Sequence, residues 1–158
     1  MKPTLPILCL ALLFSSCQKS QGNKIHPSSF TFGYCRCCLC MNPLRCFRYY
    51  EITQGQIYAD SMADFLRIVP GPFVSTPLSN SKYQLAAGLI SNFPQYLQNN
   101  PNLTLGNVNC DTHAAVHIEY IENGVTKRWD IDQDTANQPL AIRPYIAQLD
   151  TVLSQLQQ

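Results

Sequence analysis

The clearest indication of the fold is one stretch of sequence, Val116-His-Ile-Glu-Tyr-Ile-Glu-Asn-Gly-Val-Thr-Lys-Arg-Trp-Asp-Ile131. Apolar and polar side chains alternate before Asn123-Gly124, a dipeptide typical of a two-residue hairpin turn, and β-forming residues follow it. The stretch therefore predicts two antiparallel strands. Because alternate side chains of a strand point to opposite faces, one set is expected to face the core. This set is Val116, Ile118 and Tyr120.

Similar patterns occur earlier in the chain. Phe30-Thr-Phe-Gly-Tyr34 and Phe47-Arg-Tyr-Tyr-Glu-Ile52 are rich in aromatic and β-branched residues, as strands are. Gly55 then precedes Ile57-Tyr58, so we expect a turn at Gly55 and a returning strand. These segments predict a first hairpin.

Apolar side chains at helical spacing predict two helices. The first follows Ser79, a plausible N-cap, and Pro94 is expected to end or kink it before a restart through residues 95–97. The second begins near Pro144, which suits the first turn of a helix. The order hairpin, helix, hairpin, helix predicts an α+β domain, with an antiparallel sheet of two hairpins and two helices packed on one face.

Composition limits the class of protein. The chain has 158 residues, of which 13% are charged, and a formal net charge of +1. This length fits one globular domain. The small net charge disfavours generic binding to nucleic acid, which needs a basic patch.

The N-terminus has the pattern of an export signal. Lys2 precedes a mainly apolar run over residues 5–14 and then Ser15-Ser16-Cys17. This run is too short to span a membrane and fits a secretory signal peptide. Residues 13–17, Leu-Phe-Ser-Ser-Cys, resemble the lipobox of bacterial lipoproteins. The resemblance implies cleavage after Ser16, and fatty acyl chains such as palmitate on Cys17 that anchor the protein in a membrane.

This interpretation divides the chain into a signal peptide over residues 1–16, a flexible tether over residues 17–29 and a single domain over residues 30–158. The segments TFGYCRCCLC, NFPQYL, CDTHAAVHIEY and RWDID also resemble an uncharacterised group of small lipoproteins of Bacteroidota. That resemblance implies the bacterial cell envelope, with the outer membrane favoured, and carries no known activity. It leaves the envelope or extracellular partner unidentified.

The remaining cysteines predict disulfides, because an even number in an exported chain favours pairing. They are Cys35, Cys37, Cys38, Cys40, Cys46 and Cys110. Adjacent Cys37 and Cys38 have Cα atoms about 3.8 Å apart, short of the usual disulfide span, so they are not expected to bridge each other. If all six pair, Cys110 must join one of the other five.

Two kinds of metal site fit the sequence less well than disulfides do. Overlapping C-x-x-C units select soft ions such as copper or zinc, and His113 and His117 could add imidazole ligands to the Cys35–Cys46 cluster. The simpler interpretation places these histidines on the solvent-facing side of a strand. Asp130-Ile-Asp-Gln-Asp134 begins like a calcium loop, but it lacks the required glycine and closing glutamate, which favours a solvated strand end.

No catalytic group of residues stands out, so we expect a protein that is not an enzyme and needs no cofactor. The leading hypothesis is a membrane-anchored, disulfide-stapled binding module. A metal-binding lipoprotein is the first alternative, and an inhibitor of a hydrolase is the second, on analogy alone.

Overall fold

The computed structural model describes residues 24–35, 47–61, 72–108 and 115–158, with only the backbone of Cys35 and Phe47. This part of the chain forms one six-stranded sheet, three α-helices and a short 3-10 helix over Thr135–Asn137. The strands are β1 (Ser29–Cys35), β2 (Phe47–Thr53), β3 (Gln56–Ala59), β4 (Leu103–Leu105), β5 (Ala115–Glu122) and β6 (Val125–Asp132). The helices are α1 (Asn80–Ser91), α2 (Gln95–Asn99) and α3 (Arg143–Leu156). The predicted α+β class is confirmed.

The strand order is β3-β2-β1-β5-β6-β4, so β1 lies between the two strand pairs that tight turns connect. Phe32 in β1 is in register with Tyr50 on one side and Ile118 on the other. Both turns place their central residues at positive φ: Gln54 and Gly55 between β2 and β3, Asn123 and Gly124 between β5 and β6. Two residues with positive φ are the signature of a turn whose twist matches that of the strands it joins.

One pairing departs from the prediction of an entirely antiparallel sheet. Strand β4 runs parallel to β6, with Leu103 opposite Trp129 and Leu105 opposite Ile131. Asn102, at positive φ, accepts a hydrogen bond from the Arg128 amide and fixes the entry of this strand. Three residues are too few to show strand periodicity, which is why the sequence pattern does not predict β4.

The predicted helix break at Pro94 is present. Helix α1 ends at Ser91, and α2 begins at Gln95 with Pro94 at its N-cap. Phe93, between them, contacts four aromatic rings with centroid distances of 5.2–6.0 Å. These partners are Phe30, Tyr120, Trp129 and Tyr145. The break therefore turns an aromatic side chain into the core between sheet and helices.

The hydrophobic core contains side chains from both the sheet and the helices. It contains the three strand residues predicted to face inward, Val116, Ile118 and Tyr120, all at most 1% exposed. The apolar stripe of α3 is buried in the same cluster: Ile146, Leu149, Val152, Leu153 and Leu156. The predicted inward set of β5 is thus confirmed.

The packed chain begins earlier than the expected start at residue 30. Ile25 is 5% exposed and belongs to the core, and the Ser28 amide donates a hydrogen bond to the Ile121 carbonyl. A tether that ends at residue 29 is therefore too long by several residues. In the described ranges, no helix has the length and apolar character needed to cross a bilayer.

Candidate functional site

Most of the predicted site residues lie outside the described residues: Cys17, Cys37, Cys38, Cys40, Cys46, Cys110 and His113. The backbone of Cys35 and the whole of His117 are described. These two positions belong to neighbouring strands, β1 and β5, and both lie near the same end of the sheet.

That end is defined by three residues in register. Cys35 of β1 pairs with Phe47 of β2 and with Ala115 of β5. Residues 36–46 connect Cys35 to Phe47, and Cys110 precedes Ala115 by five positions. Covalent geometry keeps the Cα atom of Cys110 within about 18 Å of the Cα atom of Ala115. We call this the cysteine end of the sheet; the opposite end, with the two tight turns at residues 54–55 and 123–124, is the turn end.

His117 lies two residues along β5 from the cysteine end, on the face of the sheet opposite Ile118. Its partner in β6 is Asp130, and imidazole Nδ1 is 2.8 Å from carboxylate Oδ1. The other carboxylate oxygen of Asp130 accepts a hydrogen bond from Arg128 Nε at 3.0 Å and forms an ion pair with Arg128 Nη2 at 3.0 Å. His117 is 1% exposed, so the expected solvent-facing position is wrong for this histidine.

Gly33 and Tyr49 form the other side of the His117 environment. Gly33 is in register with both His117 and Tyr49, and the Tyr49 ring meets the imidazole edge-on with a centroid distance of 5.5 Å. A Cβ atom at Gly33 would lie 2.7 Å from Tyr49 Cδ1 and 2.2 Å from the Arg48 carbonyl oxygen. Only glycine lets the Tyr49 ring and the β2 backbone approach β1 so closely.

The same contacts influence the protonation states of Asp130 and Tyr49. Burial by itself would raise the pKa of Asp130, but hydrogen bonding and charge from His117, together with the Arg128 guanidinium, lower it below the ordinary value. Burial, with a smaller effect from the Asp130 charge, raises the pKa of Tyr49. At neutral pH the site therefore holds an ionised Asp130 beside a neutral phenol.

The second imidazole nitrogen of His117, Nε2, is the atom of the site without a described hydrogen-bond partner. It is buried and has no hydrogen-bond partner within the described ranges. Because Nδ1 contacts Asp130 and the two ring nitrogens lie on different edges of the ring, Nε2 is directed away from the Asp130 carboxylate. A carboxylate on one nitrogen is the arrangement that orients a metal-binding histidine and leaves the other nitrogen free.

Comparison with the models of known protein families, with curated proteins and with solved structures found no match. Within residues 24–35, 47–61, 72–108 and 115–158, no cluster of three or more His, Cys, Asp and Glu has the arrangement of a metal site. A metal ion at His117 would need ligands from elsewhere in the chain.

Asp132, in the calcium-like stretch, has a different role. It is 2% exposed rather than solvated, and its carboxylate accepts hydrogen bonds from the Asn107 amide at 3.0 Å and the Asp134 amide at 2.9 Å. Asn137 Nδ2 donates a third at 2.8 Å. Donors occupy the positions that a cation would need, so Asp132 fixes the loops after β4 and β6.

The pairing of His117 with Asp130 was missing from the sequence interpretation, although a pattern predicts it. Counting outward from the Asn123-Gly124 turn places the two residues directly opposite each other. The partners Tyr49 and Gly33 have no such local pattern, since they belong to strands that are distant in sequence.

Proposed function

We propose that the protein is a lipid-anchored lipoprotein of the bacterial envelope, in which a disulfide-stapled α+β domain binds another envelope or extracellular protein without catalysing a reaction. In this proposal the two hairpins are joined through β1, and the helices cover one face of the sheet. The lipid chains on Cys17 supply the membrane attachment, and the cysteine end supplies the rigid part of the binding surface.

The observation that supports this proposal is the register at the cysteine end. Cys35 is opposite Phe47, the residue directly after Cys46, and opposite Ala115, which follows Cys110 by five positions. Cα atoms of opposed residues in antiparallel strands are about 4.5–5.5 Å apart, a spacing that overlaps the usual disulfide span. The described residues that border the cysteine-bearing segments, Cys35, Phe47 and Ala115, therefore lie next to one another at the cysteine end.

Disulfides at this place would stabilise a small domain strongly. A bridge between Cys110 and the cluster or Cys46 would close a loop of about 65–75 residues, and each such bridge contributes about 2–4 kcal/mol. It would tie the start of β5 to the β1–β2 connection. The loops at this end would then have a fixed shape, which a recognition surface needs.

Non-reducing peptide mapping of the protein purified from the envelope tests the disulfides. We expect Cys110 in a disulfide with one of Cys35, Cys37, Cys38, Cys40 or Cys46. An unmodified Cys110 that alkylates without reductant would overturn the stapled module.

Metabolic labelling with a fatty acid tests the anchor. Cys17→Ala is expected to abolish the label, whereas Cys9→Ala is the matched control because residue 9 lies in the leader that is removed. Retention of the label in Cys17→Ala would overturn the lipoprotein assignment.

The open Nε2 of His117 favours metal binding as a second candidate function. Imidazole and thiolate together suit zinc and copper, and Asp130 already holds Nδ1. Protein purified under reducing conditions should then bind one of these ions, and His117→Gln should lower the bound amount several-fold. His26→Gln is the control, because His26 is exposed. Equal metal content in both variants, or none in the wild type, would exclude this candidate.

A further inference from the structure

We infer that the turn end of the sheet lies against the membrane surface and that the cysteine end is presented away from it. The inference rests on the lipid anchor of the proposed function and adds an orientation to it. It follows from the contacts of His26 and Ser28, near the start of the described chain.

The first part of the described chain is fixed to the turn end through His26 and Ser28. The His26 amide donates a hydrogen bond to Glu122 Oε1 at 3.0 Å, next to the Asn123-Gly124 turn. The Ser28 amide and hydroxyl both donate to the Ile121 carbonyl, and the Thr53 hydroxyl donates to the Ser28 carbonyl. These contacts join the N-terminal segment to the ends of both hairpins.

Burial of Ile25 stabilises the attachment of the N-terminal segment to the domain. Its side chain is 5% exposed and belongs to the hydrophobic core, so its release would expose apolar surface. The covalent path from a lipid on Cys17 to the folded domain therefore ends at the turn end.

The length of that path limits the orientation. Eight Cα–Cα steps separate Cys17 from Ile25, and they span at most about 29 Å when fully extended. Strand β1 carries the chain about 20 Å further, from Ser29 to Cys35 at the other end. The cysteine end reaches the lipid surface only if about two thirds of this extended length runs back alongside the domain, which costs conformational entropy.

The side chains at the turn end suit a lipid headgroup surface. In residues 24–28, 54–56 and 122–127 the acidic side chain is Glu122, and it is engaged by the His26 amide and by Lys127 at 3.3 Å. Lys24 is exposed there, and Val125, 57% exposed, adds an apolar contact. A cation without a competing free carboxylate fits anionic headgroups.

Paramagnetic relaxation in bicelles tests the orientation. The mature, lipidated protein is labelled with ¹⁵N and measured in bicelles with a small fraction of lipid that carries a gadolinium chelate on its headgroup. We expect the amide signals of Gly55 and Gly124 to broaden several-fold more than those of Ala115 and Asp132. The Cys17→Ala protein produced without residues 1–16 has no anchor and should lose the broadening at both ends.

A longer path provides the matched control. Insertion of a Gly/Ser segment of about twenty residues after Gln18 should reduce the difference between the two ends, because the longer chain permits more orientations. Equal broadening of both ends in the wild type, or stronger broadening at Ala115 and Asp132, would overturn the orientation and leave the anchor intact. Wild-type spectra identical to those of Cys17→Ala would overturn the anchor itself, and the orientation with it.

Discussion

His117 and Asp130 face each other across β5 and β6, with imidazole Nδ1 2.8 Å from carboxylate Oδ1. The pair lies on the face of the sheet opposite the Ile118 side chain, and Arg128 holds the second oxygen of the carboxylate. A hydrogen-bonded network of this kind fixes the direction of a buried ring. It therefore decides where the open Nε2 points.

Removal of the Asp130 charge should destabilise the domain. Asp130→Asn keeps the shape of the side chain but loses the charge-assisted bonds to His117 and Arg128, so we expect the free energy of unfolding to fall by about 1–3 kcal/mol. Urea denaturation measures the change. The control is Glu119→Gln, a half-buried carboxylate on the same face, which should stay within about 0.5 kcal/mol of the wild type. Equal losses in the two variants would contradict a stabilising His117–Asp130 pair.

Substitution of Gly33 should separate β1 from β2. The Cβ atom of Gly33→Ala would meet backbone atoms of Arg48 and Tyr49 at 2.2 Å and 2.8 Å, and backbone cannot move aside cheaply. We expect a loss of about 1–3 kcal/mol, the usual cost of overpacking. Thermal unfolding provides the measurement.

Gly88→Ala is the matched control for Gly33→Ala. In the interior of α1, the new Cβ atom would meet only the flexible end of Gln148, at 3.3 Å. Alanine is favoured over glycine in a helix by about 0.5–1 kcal/mol, so this variant should be more stable than the wild type. The same direction of change in both variants would contradict the tight contact at Gly33.

The two faces of β5 should respond differently to truncation. Ile118 is fully buried in the core, so Ile118→Ala should lower the free energy of unfolding by about 2–5 kcal/mol. Glu119→Ala, on the other face, should cost less than about 0.5 kcal/mol. Guanidinium denaturation of both proteins tests this, and a larger cost for Glu119→Ala would reverse the assignment of faces.

The attachment of the N-terminal segment should weaken in acid. The hydrogen bond from the His26 amide, with help from Lys127, lowers the pKa of Glu122 below its ordinary value of 4.5 despite partial burial. A carboxyl with a lowered folded pKa stabilises the fold above its unfolded pKa, and the stabilisation is lost as pH falls through the folded value.

This pH dependence is measured against Glu122→Gln, which cannot ionise. The wild type should be the more stable protein at neutral pH, and the difference should disappear as the pH falls below 4.5 toward the lowered folded value. A difference that stays constant across this range would show that the His26 contact does not depend on the Glu122 charge.

Short-range sequence patterns specify the turns, the helix break and the faces of the strands. Asn123-Gly124 specifies the second hairpin because its residues tolerate positive φ, and Pro94 separates α1 from α2 because it cannot donate a hydrogen bond inside a helix. The alternation in β5 assigned Ile118 to the core and His117 to the other face. Counting from the turn also fixes Asp130 opposite His117. Each of these features depends on neighbours in the chain.

The way in which these elements join is visible only in the folded domain. The position of β1 between β2 and β5, the parallel pairing of β4 and the contact of Tyr49 with Gly33 all link distant parts of the sequence. Periodicity assigns a side chain to a face but does not say whether that face is covered, which is why the burial of His117 was missed. Pairing and burial depend on the free energy of the whole packed domain, whereas turns and helix breaks depend on backbone geometry within a few residues.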